Sequence, residues 1–193
     1  MKLYAWLFAL AFVPAVAVAA LAPQGAQMTA EEEARALIGI EYPGAAFSRR
    51  IVPHLSCTDG GGRLQIGGVD YKEWWYSRVE CQGRQVLILE RSLPRKEGKA
   101  KWYVVDTLLL PPVRLLTEPY APHGVNDLWL FSPEECALDG RYDTDFVALV
   151  RWTDREWFDW RSGVEHAWTY DLERERIVPV STKRIACKQP MTD

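Results

Sequence analysis

Histidine is scarce in this chain, and the familiar catalytic signatures are missing. The 193 residues include three histidines, His54, His123 and His166, and no two share the spacing of a metal-ligand pair. There is no Cys-x-x-Cys, no His-Glu-x-x-His and no Gly-x-Ser-x-Gly. These absences argue against the common zinc sites, the zincins and the nucleophile elbow of the α/β-hydrolases. Charge of one sign is also lacking: 23 Lys and Arg stand against 26 Asp and Glu, for a net charge of −3. With no basic stripe, nucleic acid is not an expected partner. No metal and no cofactor is expected.

Long apolar runs are confined to the first twenty residues. Lys2 supplies a short positive region, Leu3 to Val13 is apolar, and Pro14 breaks the run. Ala15 to Ala20 offers small-residue cleavage sites, most simply after Ala19 or Ala20. Residues 1–20 are therefore expected to be a signal peptide, with export to the periplasm or beyond and no membrane association after cleavage. A retained anchor is the alternative, since nearly twenty apolar residues can span a bilayer. The first cysteine is Cys57, far from the cleavage region, so a lipid anchor is not supported.

Cysteine is sparse but even in number: Cys57, Cys81, Cys136 and Cys187. In an exported chain this predicts two disulfides, with three possible connectivities. The nested local pairing, Cys57–Cys81 and Cys136–Cys187, is favoured. Chain entropy alone assigns these closures roughly 3.5 and 4 kcal/mol. His54 stands three residues before Cys57, but that pair alone does not make a zinc site.

What the chain has in abundance is aromatic residues: nine Trp, eight Tyr and six Phe. Each buries a large area, so a well-packed core is within reach at this length. Residues 21–50 are read as an N-terminal segment with one short helix starting at Thr29. Glu32 completes a capping box there, and Ala34, Leu37 and Ile38 form the apolar face. Residues 51–193 are read as a disulfide-stapled β domain. Asp59 to Gly62 predicts a tight turn and Gly67-Gly68 a hairpin. Val69–Cys81, Gln85–Arg91, Trp102–Leu110, Leu128–Phe131, Asp145–Trp152, Val164–Asp171, Arg176–Val180 and Lys183–Cys187 predict strands. Pro94 to Gly98 is expected to be a polar loop. The fold class is mainly β, an antiparallel sandwich or meander.

Two similar halves are suggested by a weak repeat. Cys81, Val86–Arg91, Trp102–Asp106 and Pro111 have loose counterparts in Cys136, Val147–Arg151, Trp168–Asp171 and Pro179. Any antiparallel meander of like strands gives a similar pattern.

Candidate functional residues fall in two places. Residues 117–127 form the longest non-periodic stretch, with His123, Asn126 and Asp127 close together. A loop held by rigid strands is where binding residues tend to sit, and a His near a carboxylate suits a general base and its orienter. The second place is Trp157-Phe-Asp-Trp160, flanked by Arg155 and Arg161, whose composition matches interface hot spots. Trp74 and Trp75 are adjacent and must face opposite sides of a strand. Asp139, Asp143 and Asp145 cluster near Gly140 but miss the EF-hand pattern. Glu73, Glu80, Glu90, Asp106, Glu165 and Asp171 lie on expected strands, and nothing selects a catalytic pair among them.

A signal-like N-terminus, a β-rich body and a last strand closing on Ile185-Ala-Cys187 resemble the layout of small periplasmic proteins of Gram-negative bacteria. The resemblance carries no functional residue across. The function expected is a non-enzymatic binding module with a protein partner in the cell envelope, such as an inhibitor or immunity protein. A carbohydrate- or peptidoglycan-binding module is the alternative, and a hydrolase using His123 with Asp127 a third.

Overall fold

The computed structural model describes residues 27–43, 52–66, 73–96, 99–112, 114–115, 127–131, 135–142, 145–151 and 155–188. Thr29 caps the helix α1 (Ala30–Ala36): its hydroxyl accepts from the Glu32 amide, and Glu32 accepts from the Thr29 amide. Seven residues are too few for a helix to persist alone, so α1 depends on docking. Ala34 and Leu37 are buried against β5 (Lys99–Leu109), and the Thr107 hydroxyl donates to the Ala34 carbonyl at 3.0 Å. Ile38, expected on the apolar face, is 45 % exposed. The helix stops at Ala36, so Ile38 falls in the following turn and leaves the helical period.

Gly39, with φ +86°, turns the chain into β1 (Glu41–Pro43), which joins a five-stranded sheet of order β1-β5-β4-β3-β2. Here β2 is Thr58–Gln65, β3 Trp74–Cys81 and β4 Arg84–Lys96. Gln82 and Gly83, both at positive φ, make the two-residue turn between β3 and β4. Two expectations fail in this sheet. Asp59 to Gly62 is part of β2 rather than a tight turn. The register slips there, from Asp59 opposite Val79 to Arg63 opposite Ser77, and the glycines absorb the extra residues as a bulge. Pro94 lies within β4 rather than in a loop. β3 begins at Trp74, opposite Arg91, so among the described residues Pro94 has no paired neighbour on that side, as suits a residue without an N–H.

The second half builds β6 (Arg114–Leu115), β7 (Asp127–Phe131), β8 (Cys136–Leu138), β9 (Phe146–Arg151), β10 (Trp157–Asp159), β11 (Val164–Asp171), β12 (Arg176–Pro179) and β13 (Ile185–Lys188). Five of these form a second sheet, β12-β11-β9-β7-β6, and three a third, β10-β13-β8. Pairing is antiparallel except between β6 and β7. In β11 a bulge between Val164 and His166 switches the alternation. Val164 and Ala167 therefore face the third sheet, while Trp168 faces the first. Simple alternation along Val164–Asp171 would put His166 on one face with both Val164 and Trp168; the bulge separates it from Val164, and it stacks on Trp168 with centroids 5.8 Å apart.

The fold is mainly β with one short helix, in four layers. Val79, Val86, Ile88 and Val104 pack under α1. Trp74, Tyr76, Leu87 and Leu89 on the opposite face meet Val147, Leu149, Trp168 and Tyr170 of the second sheet. Tyr76 and Tyr170 stack across that interface at 5.3 Å. Phe146, Ala148 and Val150 then pack on Leu138, Phe158 and Ile185 of the third sheet. Each half places its long apolar strand, β4 or β9, at the centre of a five-stranded sheet. The cysteines of the suggested repeat differ: Cys81 ends β3 in the first sheet, whereas Cys136 begins β8 in the third.

Both disulfides are formed as expected, Cys57–Cys81 and Cys136–Cys187. Each joins neighbouring antiparallel chain segments. Cys136 lies directly opposite Cys187, and Cys57 precedes Thr58, whose partner Glu80 precedes Cys81. Such a bond fixes register, because a one-residue slip would carry the two sulfurs to opposite faces. Among the described residues no helix is long and apolar enough to cross a membrane.

Candidate functional site

The third sheet presents Trp157 and Trp160 to solvent. Strand β10 is its edge, paired with β13 so that Trp157 opposes Lys188 and Phe158 opposes Cys187. Alternation turns Phe158 inward, where it is buried against the second sheet, and leaves Trp157 outward. The turn that follows is tightly bonded. The Asp159 carboxylate accepts from the Arg161 amide at 2.9 Å and the Ser162 hydroxyl at 3.2 Å, and its carbonyl accepts from the Gly163 amide at 2.9 Å. A Cβ on Gly163 would meet the Arg151 carbonyl oxygen and the Phe158 ring at 3.1 Å, so any larger residue there would have to displace them by a few tenths of an ångström. Trp160 projects from this closed turn.

Trp157 is 50 % and Trp160 41 % exposed. Cations lie over both rings. Lys188 Nζ is 5.7 Å from the Trp157 centroid, and Arg161 and Lys183 are 4.9 and 5.6 Å from that of Trp160. Each such contact contributes about 0.5–1 kcal/mol at an exposed site. Arg155 and Glu156 are exposed just before the strand, and Lys188 also reaches Glu156 at 3.6 Å. Among the described residues around these rings, four cations (Arg155, Arg161, Lys183 and Lys188) outnumber two acids (Glu156 and Asp159), on a chain whose net charge is negative. The surface is aromatic and cationic, carried on a rigid stapled sheet.

Trp157, Trp160 and Arg161 are brought together as read from the sequence. Lys183 and Lys188 were not anticipated; they lie more than twenty residues on, and only strand pairing reveals them. Of the other sequence candidate, His123 and Asn126 lie outside the described residues, and Asp127 opens β7 in the second sheet.

The remaining candidates are largely accounted for structurally. His54 is exposed in a turn, and Cys57 is consumed by its disulfide. Asp139 and Gly140, both at positive φ, form a turn bridged by Leu138 and Arg141. The Asp139 carboxylate takes hydrogen bonds from Arg184, which hold its pKa below the usual range, and Asp143 lies outside the described residues. Glu80 accepts from Gln85, Glu165 pairs with Arg151, Asp171 pairs with Arg174, and Asp106 accepts from the Ile177 amide at 2.8 Å. Glu90 is fully buried and accepts from the Tyr42 hydroxyl. Among the described residues, one group of potential metal ligands converges, Glu33 with Cys57 and Cys81. The disulfide removes both thiolates, so this group does not fit a metal.

Comparison with known proteins finds no matching family, no matching characterised protein and no matching solved structure.

Proposed function

We propose that this chain is an exported, non-enzymatic binding module whose partner is a cell-envelope protein with an acidic surface. The observation that carries the reading is the pair of half-exposed tryptophans with Lys188, Arg161 and Lys183 over their rings. Tryptophan and arginine dominate interface hot spots, and the excess of cations selects an acidic counterpart. Glycan stacking is less suited to the same residues, because a sugar would have to displace those cations from the ring faces. Two disulfides and the signal-like first twenty residues support export, and the periplasm suits an inhibitor or immunity protein.

The test is capture in the native envelope. The tagged chain is crosslinked and purified beside Trp157→Ala, Trp160→Ala and His123→Ala variants. One stoichiometric partner, lost with either tryptophan and kept without His123, is the expected result. A partner retained by both tryptophan variants would overturn the assignment of the site. Micromolar protein that binds no partner would overturn the function.

A further inference from the structure

The Cys57–Cys81 bond lies under α1, against a buried carboxylate. Both cysteines are fully buried, in the same cluster as Ala34 and Leu37. Glu33 is 3 % exposed, and its Oε2 lies 3.6 Å from Cys57 Sγ. A Glu33 carboxylate oxygen and the two sulfurs all lie within 4.8 Å of one another. The carboxylate is also bonded to both residues that flank the disulfide. It accepts from the amide and hydroxyl of Ser56, just before Cys57, and from the side-chain amide of Gln82, just after Cys81. The Gln82 backbone amide donates to the Ser56 hydroxyl at 2.9 Å and closes the ring of bonds. Burial pushes the Glu33 carboxyl up, but the bonds from Ser56 and Gln82 hold it below its ordinary value of 4.5, so it is charged at neutral pH.

We propose that Glu33 is an electrostatic guard on this disulfide: it slows thiol exchange at Cys57–Cys81 and makes the bond discriminate against anionic thiols. Exchange begins when a small thiolate attacks one sulfur in line with the bond. A new S–S bond forms there, the old one breaks, and the other sulfur leaves as a thiolate. A second small thiolate then attacks the mixed disulfide. In sum, two small thiols are oxidised to one small disulfide, and Cys57 and Cys81 are reduced to thiols that take up the two protons. In the first transition state the negative charge sits on the entering and leaving sulfurs. Attack on Cys81 sends that charge to Cys57 Sγ, 3.6 Å from the carboxylate. Attack on Cys57 brings the entering thiolate to the sulfur that touches the carboxylate and sends charge to Cys81. Both routes crowd like charges into a site from which water is largely excluded, where their repulsion is poorly screened.

The probes are three thiols of different charge, cysteamine, 2-mercaptoethanol and 3-mercaptopropionate, added to the oxidised protein at about pH 8. Loss of each disulfide is followed by alkylation and peptide mass spectrometry. Every rate is divided by that thiol's rate with bis(2-hydroxyethyl) disulfide, which removes differences in thiol pKa and nucleophilicity. The Cys136–Cys187 bond, in another layer, is the control within each molecule. Cys57–Cys81 should react about tenfold faster with cysteamine than with mercaptopropionate. Glu33→Gln keeps the side chain's length and an acceptor oxygen but removes the charge. It should speed exchange with mercaptopropionate about tenfold, shrink the preference for cysteamine at least about threefold, and leave Cys136–Cys187 within about twofold. An unchanged rate at Cys57–Cys81 would overturn the proposal. So would equal acceleration of both disulfides, which marks general unfolding. Equal acceleration by all three thiols would overturn it too, because a loosened helix gives that result without any role for charge. In the wild type alone, equal normalised rates with the three thiols would already refute it.

Discussion

Removing the Glu33 carboxylate should loosen the helix layer from the first sheet, and the cost can be worked from its bonds. Glu33 is 3 % exposed and lies in the first turn of α1. It accepts from the Ser56 amide at 3.0 Å, the Ser56 hydroxyl at 2.6 Å and the Gln82 side-chain amide at 2.9 Å, which links the helix to the ends of β2 and β3 beside the Cys57–Cys81 bond. Bonds to an ionised acceptor contribute about 1.5–3 kcal/mol each when buried. Gln82 is exposed and Ser56 half-buried, so water compensates part of the loss. Alanine returns a few tenths of a kcal/mol in helix propensity. The net expectation for Glu33→Ala is a loss of about 2–3 kcal/mol. Burial pushes the Glu33 carboxyl up, but the bonds from Ser56 and Gln82 outweigh burial, and the group ends below its ordinary value of 4.5. Its contribution is therefore complete above that value and disappears as pH falls through the lower folded one. Urea unfolding of the oxidised chain at neutral and acid pH measures both effects. A loss under about 1 kcal/mol, or an acid sensitivity identical in wild type and Glu33→Ala, would refute this account.

Gly60→Ala should cost about 1–3 kcal/mol, since the new Cβ would lie 3.1 Å from the Arg78 backbone and must push β2 off β3; an unchanged urea midpoint would contradict that packing. Tyr170→Phe should stabilise by about 1 kcal/mol, because the buried Tyr170 hydroxyl has no hydrogen-bond partner among the described residues while the stack on Tyr76 survives; a lowered melting temperature would show that the hydroxyl contributes. Replacing Cys136 and Cys187 together by serine should lower stability by roughly 4 kcal/mol from loop entropy. Hydrogen exchange should rise first in β8, β10 and β13, and uniform exchange across all three sheets would count against independent stapling of that layer.

Much of this fold was legible because alternation and cysteine spacing are local signals. The capping box at Thr29 and Glu32 and the opposed faces of Trp74 and Trp75 follow from neighbours in sequence, and the disulfide pairing was favoured as the most local of three connectivities. The misses arise where extra residues interrupt the ladder. Two extra residues enter β2 between Asp59 and Arg63, and the single extra residue at Glu165 in β11 reverses which side chains face the core; no propensity marks either in advance. The burial of Glu33 was invisible for another reason: its partners Ser56 and Gln82 come from distant turns. Site residues divide along the same line. Trp157, Trp160 and Arg161 are sequence neighbours and were found together, whereas Lys183 and Lys188 reach them only through the pairing of β10 with β13.

The placement of the two covalent bonds has a consequence for how the molecule comes apart. Neither disulfide crosses the interface between the two five-stranded sheets; that contact rests on Leu87, Leu89, Val147, Leu149 and the Tyr76–Tyr170 stack. The bonds instead clasp the outside of the laminate, one under the helix and one in the three-stranded sheet. Reduction would leave the central seam shut while its covers lift. Since the exposed tryptophans ride on one cover and the helix on the other, a reduced molecule would keep its centre and lose both of its faces.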